Sequence, residues 1–163
     1  MTANPLDRGD LPVMAGEHGK LKILFLCTGN SCRSQMAEGW ARHLKNDRIE
    51  AYSGGVDPHP VDPRAVRAMS EAGVDISSQV SKDVDTFESI EFDYVITLCE
   101  KANRSCPVFP AKTRLVHVAF DDPPRLAAEA RSEEEAMAPY RRVRDEIREF
   151  VEKLPEILTE EDR

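Results

Sequence analysis

The sequence predicts a single α/β domain built on a parallel sheet with helices on both faces. Apolar segments of strand length alternate with segments whose apolar residues recur at helical spacing, the pattern of repeated strand–helix–strand units. One of these strand segments is apolar almost throughout, which is typical of a strand buried on both faces. The chain has 163 residues and 40% hydrophobic content, which suits one domain with its own core.

The first elements follow a predicted disordered leader, residues 1–19, which mixes Gly, Pro and charges without periodicity. The folded domain is expected over 20–163. A strand is predicted over 21–27, and a helix from about 33 to 45 where the apolar residues repeat at helical spacing. A short second strand is predicted over 49–53, ended by two glycines.

The next helix has clear boundary residues. Asp62 is the predicted N-cap, Pro63 lies in the first turn and Gly73 ends the helix. The polar, serine-rich segment 76–87 is predicted to be a loop or a short irregular helix.

Two further strands and a last helix complete the predicted order. The strands are expected over 92–98, which ends at Cys99, and over 114–120. Residues 124–138 are acidic and have no predicted structure. A final helix is predicted from about Pro139 to Leu154.

Charge and composition exclude several classes of function. A net charge of −8 disfavours nucleic acid or an anionic membrane as the principal partner. No apolar run has membrane-spanning length, and the N-terminus lacks the apolar core of a signal peptide, so the expected location is the cytoplasm. In a reducing compartment, the four cysteines are expected to be reactive thiols and not a framework of structural disulfides.

The segment from Cys27 to Arg33 is the strongest candidate site. The residues between them tolerate tight or left-handed backbone, and a helix begins where they end, so the loop is predicted to cradle a tetrahedral oxyanion. The positive field of such a loop favours the thiolate of Cys27, whereas the alternative is a buried structural cysteine beside a helix cap. The predicted oxyanion-binding residues are Thr28, Gly29, Asn30, Ser31, Cys32, Arg33 and Ser34.

Three reactive residues stand at predicted strand ends. Cys27, Cys99 and Asp122 each follow a strand, and ligands bind parallel sheets beyond the carboxyl ends of the strands. The three side chains are therefore expected to share one site.

Several further segments complete a recognisable pattern. They are residues 25–40, Tyr52-Ser53, Thr97-Leu98-Cys99 with Cys106-Pro107, 120–123 and 142–147. Together they resemble the low-molecular-weight tyrosine phosphatase superfamily and, within it, the thioredoxin-coupled arsenate reductases. The resemblance covers most of the chain after Lys20, and it implies a four-stranded sheet of order 2-1-3-4 with Cys27 and Cys99 on adjacent strands.

The resemblance also implies a mechanism. Cys27 attacks arsenate held by Arg33 and the loop amides, while Asp122 is the general acid. Cys99 then attacks Cys27 and releases arsenite, and Cys106 carries the disulfide to the surface, where thioredoxin reduces it. No metal or organic cofactor is required, and a monomer is expected.

Lys82 departs from the family pattern. Relatives that bind potassium beneath the loop use residues matching Asn30, Glu38 and Ser53, together with an aspartate that aligns with Lys82. A lysine does not bind a cation, so we expect its ammonium group to take the place of the ion.

Three other interpretations compete with thioredoxin-coupled arsenate reduction. A phosphotyrosine phosphatase needs only the cysteine, arginine and aspartate of the first site, but it leaves Cys99 and Cys106 unused as two small buried residues. It also calls for aromatic residues after Asp122-Pro123, where Pro124, Arg125 and Leu126 stand. A reductase coupled to a small thiol does not need both extra cysteines, and a non-catalytic oxyanion-binding or redox-sensing module has no use for a general acid.

Overall fold

Four parallel strands form the central sheet of the computed structural model, which describes residues 19–161 and the side chains of 19–158. The strands are β1 (Leu21–Cys27), β2 (Ile49–Gly55), β3 (Tyr94–Thr97) and β4 (Arg114–His117). Their order is β2-β1-β3-β4, with every neighbouring pair parallel, which confirms the order implied by the resemblance. The predicted leader lies outside the described residues except for Gly19.

Within residues 19–161, six helices surround the sheet. They are α1 (Arg33–Lys45), α2 (Pro63–Glu71), α3 (Glu100–Arg104), α4 (Pro123–Ala127), α5 (Glu133–Glu152) and α6 (Glu156–Glu161), with a 3-10 turn over Val84–Phe87. Helix α1 packs against β1 and β2, and α5 covers α1, α2 and α4. No helix within residues 19–161 is long and apolar enough to cross a membrane.

The first β–α unit has the bounds that the sequence predicts. The interior residues of β1 are fully buried, as expected of a strand with neighbours on both edges and cover on both faces. On α1, the residues at helical spacing face the core, with Trp40 1% exposed. Because β1 lies centrally, its carboxyl end opens at the middle of the sheet.

The helix α2 also ends as predicted. The Asp62 side chain accepts a hydrogen bond from the Arg64 backbone at 2.9 Å, which caps the helix. Gly73 adopts a φ of +88°, and the Val74 N–H returns to the Met69 carbonyl at 2.9 Å. This left-handed residue closes the C-terminus in the way that favours glycine.

The predicted start of the last long helix is wrong. Helix α5 begins at Glu133, and Pro139 lies inside it. The Ser132 hydroxyl accepts from the Glu135 N–H at 3.0 Å and fixes the earlier start. Residues 124–138 therefore contain most of α4 and the first turn of α5.

Three strand bounds also differ from prediction. Strand β2 includes both glycines, whereas β3 and β4 are each only four residues long, shorter than the predicted 92–98 and 114–120. The residues beyond β3 and β4 still form backbone hydrogen bonds with neighbouring segments, such as Leu98 N–H to the Leu26 carbonyl at 2.9 Å.

Candidate active site

The loop from Cys27 to Arg33 is held from outside by its carbonyl groups. Backbone N–H groups of the segment 56–62 donate to the carbonyls of residues 27, 28, 29 and 31, at 2.8–3.2 Å. In a trans peptide the N–H points opposite to the C=O, so the amide side of these peptides faces the inside of the loop. The arrangement forms an anion-binding concavity at the N-terminus of α1.

Asn30 shapes the loop and ties it to the rest of the fold. Asn30 has a φ of +51°, a left-handed conformation that asparagine tolerates, and its side chain is fully buried. Its amide donates to the Ser34 hydroxyl at 2.7 Å, and its carboxamide oxygen accepts from the Lys82 backbone at 2.8 Å. The tight turn is therefore fixed by contacts with both α1 and a segment distant in sequence.

Gly55 allows the loop to pack against β2. A Cβ at this position would lie 2.8 Å from the Thr28 carbonyl oxygen and 2.9 Å from the Asn30 nitrogen. Contacts that short with backbone do not occur, so only glycine fits beneath the loop. The extension of β2 through its two glycines thus positions the anion-binding turn.

Cys27 forms a short contact with Ser34. The two side-chain atoms, Sγ and Oγ, are 2.9 Å apart, and both residues are buried. The Ser34 oxygen already accepts from Asn30. Its own hydrogen is therefore free to be donated to the Cys27 sulfur, which stabilises a thiolate there.

Arg33 and Asp122 meet at the mouth of the loop. The guanidinium of Arg33 donates to the Phe120 carbonyl at 3.0 Å and lies 3.6 Å from the Asp122 carboxylate. Asp122 precedes α4, but its side chain forms no capping hydrogen bond. The Asp122 side chain is 38% exposed, so this carboxyl group is accessible from the loop mouth.

Cys99 is linked to the loop by Thr28. The Cys99 sulfur lies 3.2 Å from the Thr28 hydroxyl and accepts from the Ala102 N–H at 3.4 Å. Cys99 is the N-cap of α3 and is 7% exposed. The structure therefore brings Cys27, Arg33, Asp122 and Cys99 to one edge of the sheet.

The other two cysteines differ in their surroundings. All four cysteines are free thiols, and Cys106 is half-buried in the segment after α3. Burial raises the pKa of Cys106. Burial, followed by the charges of Asp62 and Cys27, raises the pKa of Cys32 well above its ordinary value, so Cys32 is a protonated residue of the loop.

The segment 79–82 supports the loop from below, a role that the sequence did not reveal. Gln35 donates to the Val80 and Asn30 carbonyls, both at 2.9 Å, and the Ser81 hydroxyl donates to the Gly29 carbonyl at 3.0 Å. These partners are about 45–52 positions apart in sequence, so no local pattern predicts them. The contact between Thr28 and Cys99 was missed for the same reason.

Lys82 lies next to a buried carboxylate beneath the loop. Its Nζ is 4.0 Å from the Glu38 carboxylate and donates to the Val80 carbonyl at 2.7 Å. Glu38 also pairs with Arg42 and accepts from the Ser53 hydroxyl, both at 2.5 Å. Burial lowers the pKa of Lys82, and the Glu38 charge opposes that shift.

No group of three or more His, Cys, Asp or Glu side chains within residues 19–158 could hold a metal ion. The chemistry that the arrangement supports is nucleophilic attack on a bound oxyanion, with a second sulfur beside the first.

Residues 22–163 match the family model described as low molecular weight phosphotyrosine protein phosphatase. An arsenate reductase of Bacillus licheniformis is 49% identical over 84% of this chain and 96% of its own. That of Bacillus subtilis is 48% identical over 80% of this chain and 94% of its own.

Solved structures show the same likeness. An arsenate reductase in the phosphate-binding state has 33% identity and a TM-score of 0.66, covering 82% of this chain and 95% of its own. A low molecular weight protein tyrosine phosphatase from T. tengcongensis has 26% identity and a TM-score of 0.66, covering 85% of this chain and 99% of its own.

Proposed function

Because the chain belongs to the low molecular weight phosphotyrosine protein phosphatase family, we propose that it uses the family's oxyanion loop to reduce arsenate to arsenite. Its relatives at 48–49% identity are arsenate reductases, which supports this activity. The observation that carries the proposal is the second cysteine, Cys99, hydrogen-bonded to the loop through Thr28 at 3.2 Å. A phosphatase has no use for a sulfur at that position.

The first step is attack on the bound anion. The loop amides and Arg33 hold three arsenate oxygens, and the Cys27 thiolate forms a bond to arsenic. The oxygen that leaves takes a proton from Asp122 and departs as water. The product is a cysteine–arsenate adduct in which arsenic is still pentavalent.

The second step is the reduction itself. The Cys99 thiolate attacks the Cys27 sulfur, a disulfide bond forms, and the sulfur–arsenic bond breaks. Its electron pair goes to arsenic, which leaves as arsenite. The Ala102 N–H donates to the Cys99 sulfur at 3.4 Å and the Thr28 hydroxyl lies 3.2 Å from it, so both groups position the attacking sulfur.

The third step moves the disulfide outward. Cys106 attacks the Cys99 sulfur, so a Cys99–Cys106 disulfide forms and Cys27 returns as a thiolate. Cys106 is the most exposed of the three sulfurs. The dithiol of thioredoxin then reduces this disulfide and becomes a disulfide itself. Across the three steps, the proposed catalytic residues are Cys27, Arg33, Cys99, Cys106 and Asp122.

We also propose that residues 20–163 form the catalytic domain and act as a cytoplasmic monomer. A relay that begins and ends with three thiols requires a reducing compartment. The three sulfurs and the loop all come from one chain, so no second copy is needed to complete the site.

The test compares the wild type with Cys106→Ser, each supplied with arsenate, thioredoxin, thioredoxin reductase and the nicotinamide cofactor. The wild type should turn over continuously, whereas the variant should release one arsenite per chain and stop as a Cys27–Cys99 disulfide. Ser105→Ala, next to Cys106 and exposed, is the matched control and should turn over fully. Equal turnover by Cys106→Ser and the wild type would exclude the relay.

The family match keeps phosphotyrosine hydrolysis as the second candidate. Cys27, Arg33 and Asp122 suffice for it, with water attacking the phosphocysteine. Hydrolysis of an aryl phosphate at rates above those of arsenate reduction would favour this reading. The exposed residues of α4 that follow the aspartate are Arg125 and Leu126, and neither is aromatic, which argues for the reductase.

A further inference from the structure

The short helix α3 lies between two cysteines of the proposed relay, on which this inference rests. Cys99 is its N-cap, and Cys106 follows two residues after its end. Seven residues of helical spacing span about 10 Å, whereas the Cα atoms of a disulfide are about 5.5–6 Å apart. A Cys99–Cys106 bond therefore requires the hydrogen bonds of α3 to break.

One side chain outside the helix contacts its first turn. The imidazole of His117, at the end of β4, has Nε2 3.2 Å from the Glu100 carboxylate. Its Nδ1 lies 2.8 Å from the Thr97 hydroxyl. Glu100 is the first residue of α3, so His117 joins the helix start to the sheet.

The same cluster contacts the far end of the helix. The Thr97 hydroxyl lies 3.3 Å from the Asn103 carboxamide oxygen, in the last turn of α3. Thr97 is 2% exposed at the end of β3, so its position is fixed by the sheet. The chain Glu100–His117–Thr97–Asn103 therefore spans α3 from its first residue to its last turn.

The hydrogen bonds of the cluster depend on the charge state of the imidazole. With neutral His117, the single Thr97 hydroxyl hydrogen goes to Nδ1 and Nε2–H donates to Glu100, so the Thr97–Asn103 contact carries no hydrogen. With protonated His117, both ring nitrogens donate, and the Thr97 hydrogen is free for Asn103. In each case His117 bridges the sheet and the helix.

We propose that His117 is a positioning residue that holds α3 in its helical form and thereby opposes formation of the Cys99–Cys106 disulfide. The helix must open for Cys106 to reach Cys99, and opening separates Glu100 and Asn103 from the sheet. His117 and Thr97 thus stabilise the dithiol form relative to the disulfide. Their effect is to keep Cys99 beside the loop until Cys27 has reacted.

The direction of the effect follows from which form is stabilised. Removing the imidazole destabilises the dithiol, so oxidation becomes more favourable and the reduction potential becomes more negative. Two hydrogen bonds at a partly exposed site correspond to a change of about three- to tenfold in the equilibrium constant. Since tenfold is about 30 mV for a two-electron couple, the expected shift is about 14–30 mV.

The experiment measures this potential in the full-length protein carrying Cys27→Ser. Oxidised glutathione takes two electrons and two protons from Cys99 and Cys106, giving the disulfide and two reduced glutathiones. Mixtures of oxidised and reduced glutathione set the potential. Alkylation with peptide mapping then measures the fraction of Cys99 and Cys106 that is present as the disulfide. His117→Ala is compared with Leu115→Ala, which changes an exposed side chain on the same strand.

The expected result is a more negative reduction potential for His117→Ala, whereas the equilibrium constant for Leu115→Ala should change by less than twofold. In the reduced protein, His117→Ala should also speed hydrogen exchange of the Asn103 and Ser105 amides, which donate to the Cys99 and Lys101 carbonyls. Glu100→Gln, at the exposed end of the cluster, should shift the potential in the same direction by less. The double variant should shift it by less than the sum of the two.

Three outcomes would count against the proposal. If the potentials and the exchange rates of His117→Ala match those of Leu115→Ala while the disulfide forms, His117 is an ordinary surface residue and only this inference fails. If His117→Ala does not fold, an unshifted potential in Glu100→Gln overturns it instead. If no Cys99–Cys106 disulfide forms in any protein, the relay itself is wrong and the positioning role falls with it.

Discussion

Replacing Ser34 with alanine should lower the reactivity of Cys27, although Cys27 itself is unchanged. The Ser34 oxygen accepts from the Asn30 amide at 2.7 Å, so its hydrogen is left for the Cys27 sulfur at 2.9 Å. A hydrogen bond to a charged partner contributes about 1.5–3 kcal/mol, and both groups are buried, so solvent does not replace it. At about 1.4 kcal/mol for each factor of ten, Ser34→Ala should reduce the reactivity of Cys27 about 10- to 150-fold.

The same substitution should also lower stability. The Asn30 amide loses its acceptor in a fully buried site, which costs about 1–3 kcal/mol of the free energy of unfolding. Denaturant unfolding measures this cost separately from reactivity. The reactivity measurement is therefore made under conditions in which the variant remains folded.

Two assays read the reactivity of Cys27. One is alkylation by iodoacetamide at pH 7, mapped to the Cys27 peptide, and the other is kcat/KM for arsenate. Both should fall in Ser34→Ala, while Ser70→Ala, an exposed serine on α2, should change neither. A folded Ser34→Ala protein whose Cys27 alkylates at the wild-type rate would refute donation from Ser34 to the thiolate.

Three further perturbations test the surroundings of the loop. In Lys82→Ala, the buried Glu38 carboxylate loses the ammonium group that lies 4.0 Å from it, so the melting temperature of the variant should fall. Potassium, but not sodium, should restore this melting temperature. The wild type should not respond to potassium. Glu71 has a pKa of about 2 because Arg141 hydrogen-bonds its carboxylate. This interaction stabilises the fold above about pH 4.5, and the stabilisation is lost as the pH falls towards 2. The difference in unfolding free energy between the wild type and Glu71→Gln should therefore shrink over that pH range. Gly55→Ala should cost about 1–3 kcal/mol of unfolding free energy and weaken anion binding, because its Cβ would lie 2.8 Å from loop backbone.

Each of these has a control in the same chain. Lys112→Ala removes a surface lysine that pairs with Glu91 and should gain no response to potassium. Glu88→Gln should leave the acid limb of the stability curve unchanged. Gly54→Ala meets only the Phe87 ring at 3.2 Å and the Val84 backbone at 3.4 Å, so it should cost less than Gly55→Ala. Potassium stabilisation of the wild type, or equal costs at the two glycines, would contradict the corresponding account.

Sequence patterning predicted the elements whose causes are local. The cap at Asp62 and the left-handed Gly73 are set by residues within one turn of the helix end, so α2 was predicted with its bounds. The predicted start of α5 at about Pro139 is wrong, because this proline lies inside a helix that begins at Glu133. The signal that decides it was present, since Ser132 stands three residues before a glutamate.

The loop residues and their chemistry were also readable from the sequence, but their support was not. Asn30 is held by the Lys82 backbone, and Thr28 contacts Cys99, across 52 and 71 positions. Arg141 likewise binds Glu71 of another helix, 70 positions earlier in the sequence. Such contacts depend on how the helices and strands pack together. The spacing of apolar residues along the sequence does not predict that packing.

The graded burial of the three sulfurs selects which reductants can be used. Cys27 and Cys99 are 2% and 7% exposed, and Cys106 alone is half-buried. A thiol reductant that approaches from solvent therefore contacts Cys106 before the two buried sulfurs. On the proposed relay, the arsenic-bearing intermediate is thereby shielded from scavenging by small thiols, and electrons enter only at the sulfur that a folded partner protein can reach.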